Sequence, residues 1–176
     1  MKPELNMTVE EVKELLRLQP HFEGGWYART YESYMRLPQE VLGGVYPGPR
    51  LAGTAIYYLL EPGCFSEIHR LRSDEIFHFY MGDAVEMLQL LPAEDGMPAA
   101  SAKIGIGLDL MHGERPQVLA RSGVWQGSRL KPGGRWALLG CTVAPGFEFE
   151  DYEKGSRAEL IAQWPEHAEM IRGLTR

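Results

Sequence analysis

Short segments rich in β-branched and aromatic residues fill the middle of the chain, and helical periodicity is confined to its two ends. Most of these segments are bounded by Gly, Pro, Asp or Ser, which is typical of strands joined by turns. The pattern predicts strands at residues 26–34, 54–60, 68–71, 75–81, 85–91 and 136–143, and an exposed loop at 92–102. Short strands at this spacing favour a sandwich or barrel over a parallel α/β sheet.

The two ends carry helix-start signals. Thr8 followed by Glu11 has capping-box spacing, and apolar residues then recur on one helical face, which predicts a helix at residues 8–18. Ser156 followed by Glu159 repeats the spacing and predicts a second helix at about 156–171. Pro165 is expected to break or kink this C-terminal helix.

Composition narrows the class of protein. A length of 176 residues predicts one domain spanning residues 1–176, and 20 glycines, well above a share of about 7%, imply many turns. The net charge of −6 and the absence of adjacent basic residues argue against a nucleic-acid partner. The uncharged apolar stretches are shorter than the ~20 residues that cross a membrane. The first residues lack the apolar core of a signal peptide, and two cysteines are too few for a disulfide framework, so we expect a cytoplasmic protein.

One segment carries the candidate chemistry. Gly63, His69, Glu75 and Gly82 follow the spacing of the first motif of the cupin superfamily, which this segment resembles, and Leu71 stands where the family has a second histidine. Strand alternation is expected to point His69 and Leu71 into a barrel, opposite Glu75.

Other phrases extend the resemblance over roughly residues 7–160. Residues 21–27 read His-Phe-Glu-Gly-Gly-Trp-Tyr, residues 124–126 read Val-Trp-Gln, and residues 141–147 read Cys-Thr-Val-Ala-Pro-Gly-Phe. Together they resemble the fifth cupin family, single-domain proteins without an assigned reaction. The resemblance implies an all-β double-stranded β-helix, or jelly-roll barrel, at about residues 26–150, with short terminal helices and a homodimeric assembly. Gln126 falls in the position of the family's third histidine.

The candidate site follows from these matches. We expect His69 and Glu75 to be catalytic as an acid–base pair, because a carboxylate beside an imidazole can hold it in one tautomer. An isolated histidine is more often a hydrogen-bonded core residue, but the motif spacing favours a functional one. The candidate ligand-binding residues are Gln126, His78, Tyr57, Tyr58 and Arg70. His78, three residues after Glu75, should face the outside of a regular strand unless a bulge re-aims it, and only one of the adjacent tyrosines can face inward.

The function remains open among three alternatives. We favour a protein that binds a small polar, sugar-like metabolite in the barrel, with isomerase or epimerase chemistry. The second alternative is a divalent-metal-dependent cupin enzyme, with His69, Glu75 and Gln126 as ligands. One imidazole, one carboxylate and one amide oxygen form a poor set for a transition metal, so we expect no cofactor beyond a weakly held divalent metal. The third alternative is a binding protein without turnover.

Overall fold

The structure is a computed structural model that describes residues 7–93 and 96–176. The signal-peptide prediction falls mainly on residues 1–6, and residues 94–95 of the predicted loop at 92–102 also lie outside the described residues. The strands are β1 (Gln19–Pro20), β2 (Trp26–Glu32), β3 (Arg36–Leu37), β4 (Arg50–Leu51), β5 (Thr54–Leu60), β6 (Phe65–Leu71), β7 (Asp74–Gly82), β8 (Val85–Leu91), β9 (Ala100–Ile106), β10 (Glu114–Arg115), β11 (Gln117–Ala120), β12 (Trp125–Leu130), β13 (Ala137–Ala144) and β14 (Tyr152–Lys154). The helices are α1 (Val9–Leu15), α2 (Arg157–Gln163) and α3 (Ala168–Gly173).

Two six-stranded sheets form the jelly roll. The first has the order β1-β2-β5-β13-β7-β11 and the second the order β10-β9-β8-β12-β6-β14, with antiparallel pairing everywhere except between β9 and β10. Side chains from the two inner faces form one apolar core, which includes Tyr58, Leu60, Phe77, Met87 and Leu139. The expected all-β cupin barrel with short terminal helices is confirmed.

The helices cover the outer faces of the sheets. Val12 of α1 packs on the outer face of the first sheet, against Leu59 and Leu138. Helices α2 and α3 pack on the outer face of the second sheet, where Leu160 and Ile171 join a cluster with outward residues of β6 and β8. The outward residues of these strands are therefore apolar as well, because both faces of each sheet are partly buried. Within residues 7–93 and 96–176, no helix is long and apolar enough to cross a membrane.

The helix termini differ from the sequence expectation in one respect. Thr8 forms the full capping box with Glu11, whose amide nitrogen donates to Thr8 Oγ1 at 3.2 Å. Ser156 makes no side-chain cap, so the capping role predicted for it is wrong. Pro165 breaks the C-terminal helix, as expected, because it begins a 3₁₀ turn between α2 and α3.

The sequence pattern does not predict several of the strands. The segments at 54–60 and 85–91 agree with β5 and β8, whereas β6 begins three residues earlier than predicted. Among the strands of four or more residues, the pattern misses β9, β11 and β12, and β9 begins within the loop predicted at 92–102. Their residues explain the omission: β11 has only four residues, and β12 contains a glycine and three polar side chains.

Candidate ligand-binding cavity

A cavity of about 80 Å³ opens between the two sheets at one end of the barrel. Inward residues of both sheets form its walls, and the loops at residues 21–23 and 147–149 border it. The lining residues are His21, Phe22, Glu23, Tyr27, Arg29, Thr54, Ile56, Tyr58, Ser66, His69, Leu71, Glu75, Phe77, Cys141, Val143, Phe147 and Phe149.

His69 of β6 lies in this cavity, and a β-bulge in the same strand adds Ser66 to the cavity wall. Gln126 of β12 lies opposite His69, and Ser128 lies opposite Ser66, so β6 has one more residue than β12 over this stretch. The extra residue lets Ser66 and His69 both face inward, although three positions separate them. The imidazole is buried, and its Nδ1–H donates to the carbonyl oxygen of Glu67 at 2.7 Å. One face of the ring stacks on Tyr152, with ring centroids 5.0 Å apart.

Gln126 links His69 to Glu75. Its Nε2 lies 2.8 Å from His69 Nε2 and donates to Glu75 Oε2 at 2.9 Å, while the direct distance from His69 Nε2 to Glu75 Oε2 is 3.8 Å. Gln126 Oε1 is buried and has no hydrogen-bond partner in the part of the chain that the structure describes. In this orientation Gln126 Nε2 donates a hydrogen bond to His69 Nε2, so His69 Nε2 must be unprotonated. Protonation of His69 would favour a turned amide, with Oε1 accepting the Nε2 proton, but the turn would also remove the hydrogen bond from Gln126 Nε2 to Glu75. The amide orientation is therefore coupled to the charges of both His69 and Glu75.

A second carboxylate reaches His69 from the other side. Glu23 Oε2 lies 3.5 Å from His69 Nδ1 and accepts a hydrogen bond from Ser66 at 3.4 Å. Glu23 stands just before Gly24, whose φ of +113° and close approach to the Phe65 carbonyl leave no room for a Cβ. Tyr58 further fixes this turn by donating to the carbonyl of Gly24 at 2.7 Å.

The buried charges shift one another's pKa values. Burial alone lowers the pKa of His69, but the charge of Glu23 and the interaction with Glu75 outweigh it and raise the pKa to about 9. Burial raises the pKa of Glu23 to about 7, although the His69 charge opposes this effect. Burial also lowers the pKa of His21 to about 4, and the positive charges of His69 and Arg29 add to that shift. Near neutral pH the site therefore favours an imidazolium flanked by carboxyl groups, beside a neutral His21.

Aromatic rings surround the mouth of the cavity. Phe22 packs against Phe149 at 5.1 Å and Phe147 at 6.4 Å between ring centroids, and against Tyr152 at 4.9 Å. Phe22 and Phe149 remain exposed to solvent at the same time. A ligand entering here would pass apolar rings before it meets the polar groups of the interior.

The structure brings together only some of the residues predicted from the sequence. His69, Glu75 and Tyr58 line the cavity, and Gln126 is buried beside them. Alternation along β6 and β7 also places Leu71 and Phe77 in the cavity wall, as expected. The roles assigned to these residues stay predictions.

The other three candidates lie outside the cavity. His78 is on the outer face of the first sheet, where its ring nitrogens lie 3.1 Å from Thr142 Oγ1 and 3.4 Å from Gln117 Nε2. Tyr57 faces the same side and packs against α1, because its neighbour Tyr58 points inward. Arg70 is on the outside of β6, paired with Glu153 at 2.8 Å.

Sequence reasoning missed Glu23, His21 and Arg29 as members of the site. His21 and Glu23 belong to the phrase at residues 21–27, which contributed only to the family resemblance, and Arg29 follows two residues later. Nothing local in that phrase indicates that a loop before β2 folds over the mouth of the barrel.

The donor set does not fit a divalent metal. Among the described residues, no group of three or more His, Cys, Asp or Glu side chains is arranged to hold a metal ion. Leu71 occupies the position beside His69 where a second imidazole would stand, and the position of a third imidazole is taken by Gln126, whose amide oxygen is a weak neutral ligand. We therefore derive no step through a metal, and the cofactor expectation stays a prediction.

A jelly-roll barrel with an inward histidine and glutamate beside an interior cavity defines the cupin class of protein. Residues 10–155 match the family described as Cupin superfamily (DUF985), and the chain belongs to this family.

Solved structures agree with this assignment. A protein from Shewanella oneidensis is 33% identical, with 97% of this chain and 98% of that chain covered and a TM-score of 0.81. A hypothetical protein from Leishmania major is 30% identical over 96% and 99% of the two chains, with a TM-score of 0.83. A dTDP sugar isomerase from Desulfovibrio desulfuricans G20 shares the fold at 14% identity, covering 74% and 83%, with a TM-score of 0.52. No curated protein matches the chain in sequence.

Proposed function

We propose that this cupin binds a small polar, sugar-like metabolite in its barrel and isomerises or epimerises it by proton transfer. The observation that carries the proposal is the buried, hydrogen-bonded unit formed by His69, Gln126 and Glu75, of which His69 and Glu75 line the cavity. Buried titratable groups with shifted pKa values in a cavity are a general mark of acid–base sites. The fold of the dTDP sugar isomerase adds support only by analogy, since one fold hosts many activities.

The raised pKa of His69 indicates that His69 is the acid and Glu75 the base of the catalytic pair. A protonated imidazole is an acid, so His69 would donate a hydrogen bond from Nε2 to a carbonyl oxygen of the substrate. This requires the substrate oxygen to displace the Gln126 amide, which lies 2.8 Å from Nε2 in the free protein. Glu75 would act as the base and take the proton from the neighbouring carbon. The electron pair of that C–H bond then forms the enol double bond, and the carbonyl oxygen gains the proton or charge. In an isomerisation, Glu75 returns the proton to the former carbonyl carbon, and the hydroxyl on the carbon that was deprotonated gives its proton to solvent as the new carbonyl forms. In an epimerisation, a proton from solvent reaches the opposite face of the same carbon, the enol oxygen returns its proton to His69, and Glu75 releases its proton to solvent.

Gln126 would position this pair. Its amide contacts both His69 and Glu75 and can turn when the imidazole gains its proton, so it fits a positioning residue rather than a proton carrier. The small volume limits the buried part of the ligand to a few heavy atoms. Any larger part of the ligand would rest against Phe22 and Phe149 at the mouth.

Deuterium incorporation tests the proposal even while the substrate is unidentified. The protein is incubated in D₂O with a fractionated mixture of small cellular metabolites, and mass spectrometry detects compounds that gain carbon-bound deuterium. We expect one class of hydroxy-carbonyl compound to gain deuterium. The H69Q and E75Q variants should lower the rate by roughly 10²–10⁴-fold, the usual value of general acid–base catalysis.

His112→Gln is the matched control, since His112 is exposed, pairs with Asp109 and is not part of the cavity lining. Its exchange rate should equal that of the unaltered protein. Deuterium incorporation that survives H69Q and E75Q would overturn the proposal. A tightly bound co-purified metabolite that never exchanges would instead favour a binding protein without turnover.

A further inference from the structure

Arg29 is turned into the cavity by β2. The residues Tyr27 and Arg29 both line the cavity, as alternation along a strand requires. A register shift follows at once: Arg29 lies opposite Ile56 and Tyr31 lies opposite Ala55, so Thr30 is an extra residue in β2. The bulge ends the inward alternation after Arg29 and leaves Tyr31 exposed. Bulges of this kind often aim a side chain at a functional site.

The guanidinium of Arg29 keeps donors free. Its Nη1 bonds Glu32 Oε1 at 3.1 Å, and Glu32 is itself mostly exposed. No described residue accepts a hydrogen bond from Arg29 Nε or Nη2. Arg50 is different, because its Nε and Nη2 both donate to the buried Asp151. A single exposed ion pair contributes little to stability, so the structural reason for an arginine at this inward position is weak.

Charge is distributed unevenly along the cavity. Arg29 is the single Arg or Lys among the described residues that line it, whereas Glu23 and Glu75 lie beside His69 deeper in the barrel. The positive charge of His69 is offset by the carboxyl groups of Glu23 and Glu75 on either side of it, so the inner end of the cavity offers an anionic group little attraction. An anionic group can therefore be accepted at Arg29, where a planar guanidinium fits carboxylate and phosphate oxygens.

We propose that Arg29 is the anion-binding residue of the cavity, and that the natural ligand carries one carboxylate or phosphate group at the end away from His69. This inference rests on the proposed function for the identity of the cavity as the reactive site. It narrows the substrate class to small anionic hydroxy or carbonyl compounds, with the uncharged polar end directed at His69 and Glu75.

Inorganic phosphate is the probe, because its binding requires no turnover. Isothermal titration calorimetry compares the unaltered protein with the R29Q, R29K, E32Q and R129Q variants. Loss of the guanidinium in R29Q should weaken phosphate binding by roughly ten- to a hundredfold, the value of a charge-assisted hydrogen bond. E32Q should strengthen binding several-fold, because it removes the carboxylate that competes for Arg29.

R129Q is the matched control. Arg129 is similarly half-exposed and is paired with one glutamate, Glu86, but it is not part of the cavity lining. Its phosphate affinity should be unchanged, and R29K should retain part of the affinity because it keeps the charge. Parallel titrations with acetate and with uncharged glycerol distinguish a carboxylate preference from a phosphate preference and from neutral binding.

The possible outcomes separate this inference from the proposed function. Phosphate affinity that is equal in R29Q, E32Q and the unaltered protein, or absent from all of them, overturns the role of Arg29. Should R29Q fail to fold, E32Q and R29K decide the question, since Glu32 is exposed and its ion pair with Arg29 contributes little to folding. Arg29-dependent phosphate binding without deuterium exchange in any metabolite would uphold the anion site and reject the acid–base function.

Discussion

At the scale of single residues, two glycines determine the position of the Glu23 carboxyl group. Gly24 and Gly25 both have positive φ angles, and a Cβ on Gly24 would lie 2.1 Å from the carbonyl oxygen of Phe65. This close approach brings the loop against β6, where Glu67 N donates to the carbonyl oxygen of Glu23 at 3.1 Å. The backbone contact in turn holds the Glu23 carboxyl group beside His69. The electrostatics of the cavity therefore depends on residues that carry no side chain.

Gly24→Ala should be strongly destabilising. A positive φ and a backbone clash act together, so we expect a loss of roughly 3–5 kcal/mol in the free energy of unfolding, measured by chemical denaturation. Gly43→Ala is the control, because Gly43 has a φ of +62° but a Cβ added there would meet nothing within 4 Å. It should cost only the conformational strain, roughly 1–2 kcal/mol. Equal losses in the two variants would contradict the close-approach argument.

At the scale of elements, the terminal helices complete the sheets by covering their outer faces. Helix α1 packs against Leu59 and Leu138 of the first sheet, and helices α2 and α3 pack against Ile68 and Leu90 of the second. Helices of six or seven residues are marginal in isolation, so their stability comes from this packing and, in α1, also from its capping box. Thr8 and Ser156 both begin a capping-box spacing in the sequence, but only Thr8 forms a side-chain cap in the structure.

Thr8→Ala should therefore lower stability, and Ser156→Ala should not. Thr8 Oγ1 accepts from Glu11 N, and Glu11 Oε2 accepts from Thr8 N at 2.7 Å, so removing the hydroxyl should cost about 1 kcal/mol. Ser156 makes no side-chain cap and its loss should be within about 0.5 kcal/mol of neutral. Thermal unfolding of the two variants measures both. A larger loss in S156A than in T8A would refute the assignment of the caps.

At the scale of the whole molecule, the barrel encloses charge that the unfolded chain exposes to water. His69 has a pKa of about 9 when folded, above its ordinary 6.5, so its contribution to stability is complete below pH 6.5 and is lost as the pH rises through 9. The raised pKa of Glu23 lowers stability as the pH rises from 4.5 to about 7. The lowered pKa of His21 acts in the opposite sense, since stability is lost as the pH falls from 6.5 through about 4.

Of these three groups, only His69 changes the stability of the protein between pH 7 and pH 9. Between pH 7 and pH 9 the free energy of unfolding should fall by roughly 2–3 kcal/mol, since one proton is worth about 1.4 kcal/mol per pH unit. Chemical denaturation at several pH values measures the slope. In the H69Q variant the slope over this window should nearly vanish. An unchanged slope in H69Q would show that the imidazole is not charged in the folded protein.

The homodimer also belongs to this scale and stays a prediction. Tyr31 and Tyr34 in the aromatic N-terminal segment are exposed, which is compatible with a second copy packing there. The cytoplasmic location and the single domain at residues 1–176 likewise stay predictions.

Local signals in the sequence determined a large part of this molecule. Turn residues and β-rich segments identified most long strands, and the motif from Gly63 to Gly82 predicted the cupin barrel, with His69 and Leu71 facing inward. A period of two residues fixes the face of a strand, so Tyr58 and Tyr57 had to point in opposite directions, as did Glu75 and His78. Such inferences succeed because the geometry of one strand depends on neighbouring residues only.

The tertiary structure alone decided which residues meet in the cavity. Glu23 reaches His69 across 46 positions of sequence, and Gln126 reaches it across 57, because loop closure and antiparallel pairing join distant segments. The bulge in β6, which adds Ser66 to the cavity wall, and the bulge in β2, which ends the inward alternation after Arg29, arise from the register between paired strands and leave no local mark in the sequence. The pKa values follow from the same packing, because burial and distance between charges exist only once the sheets have closed around them.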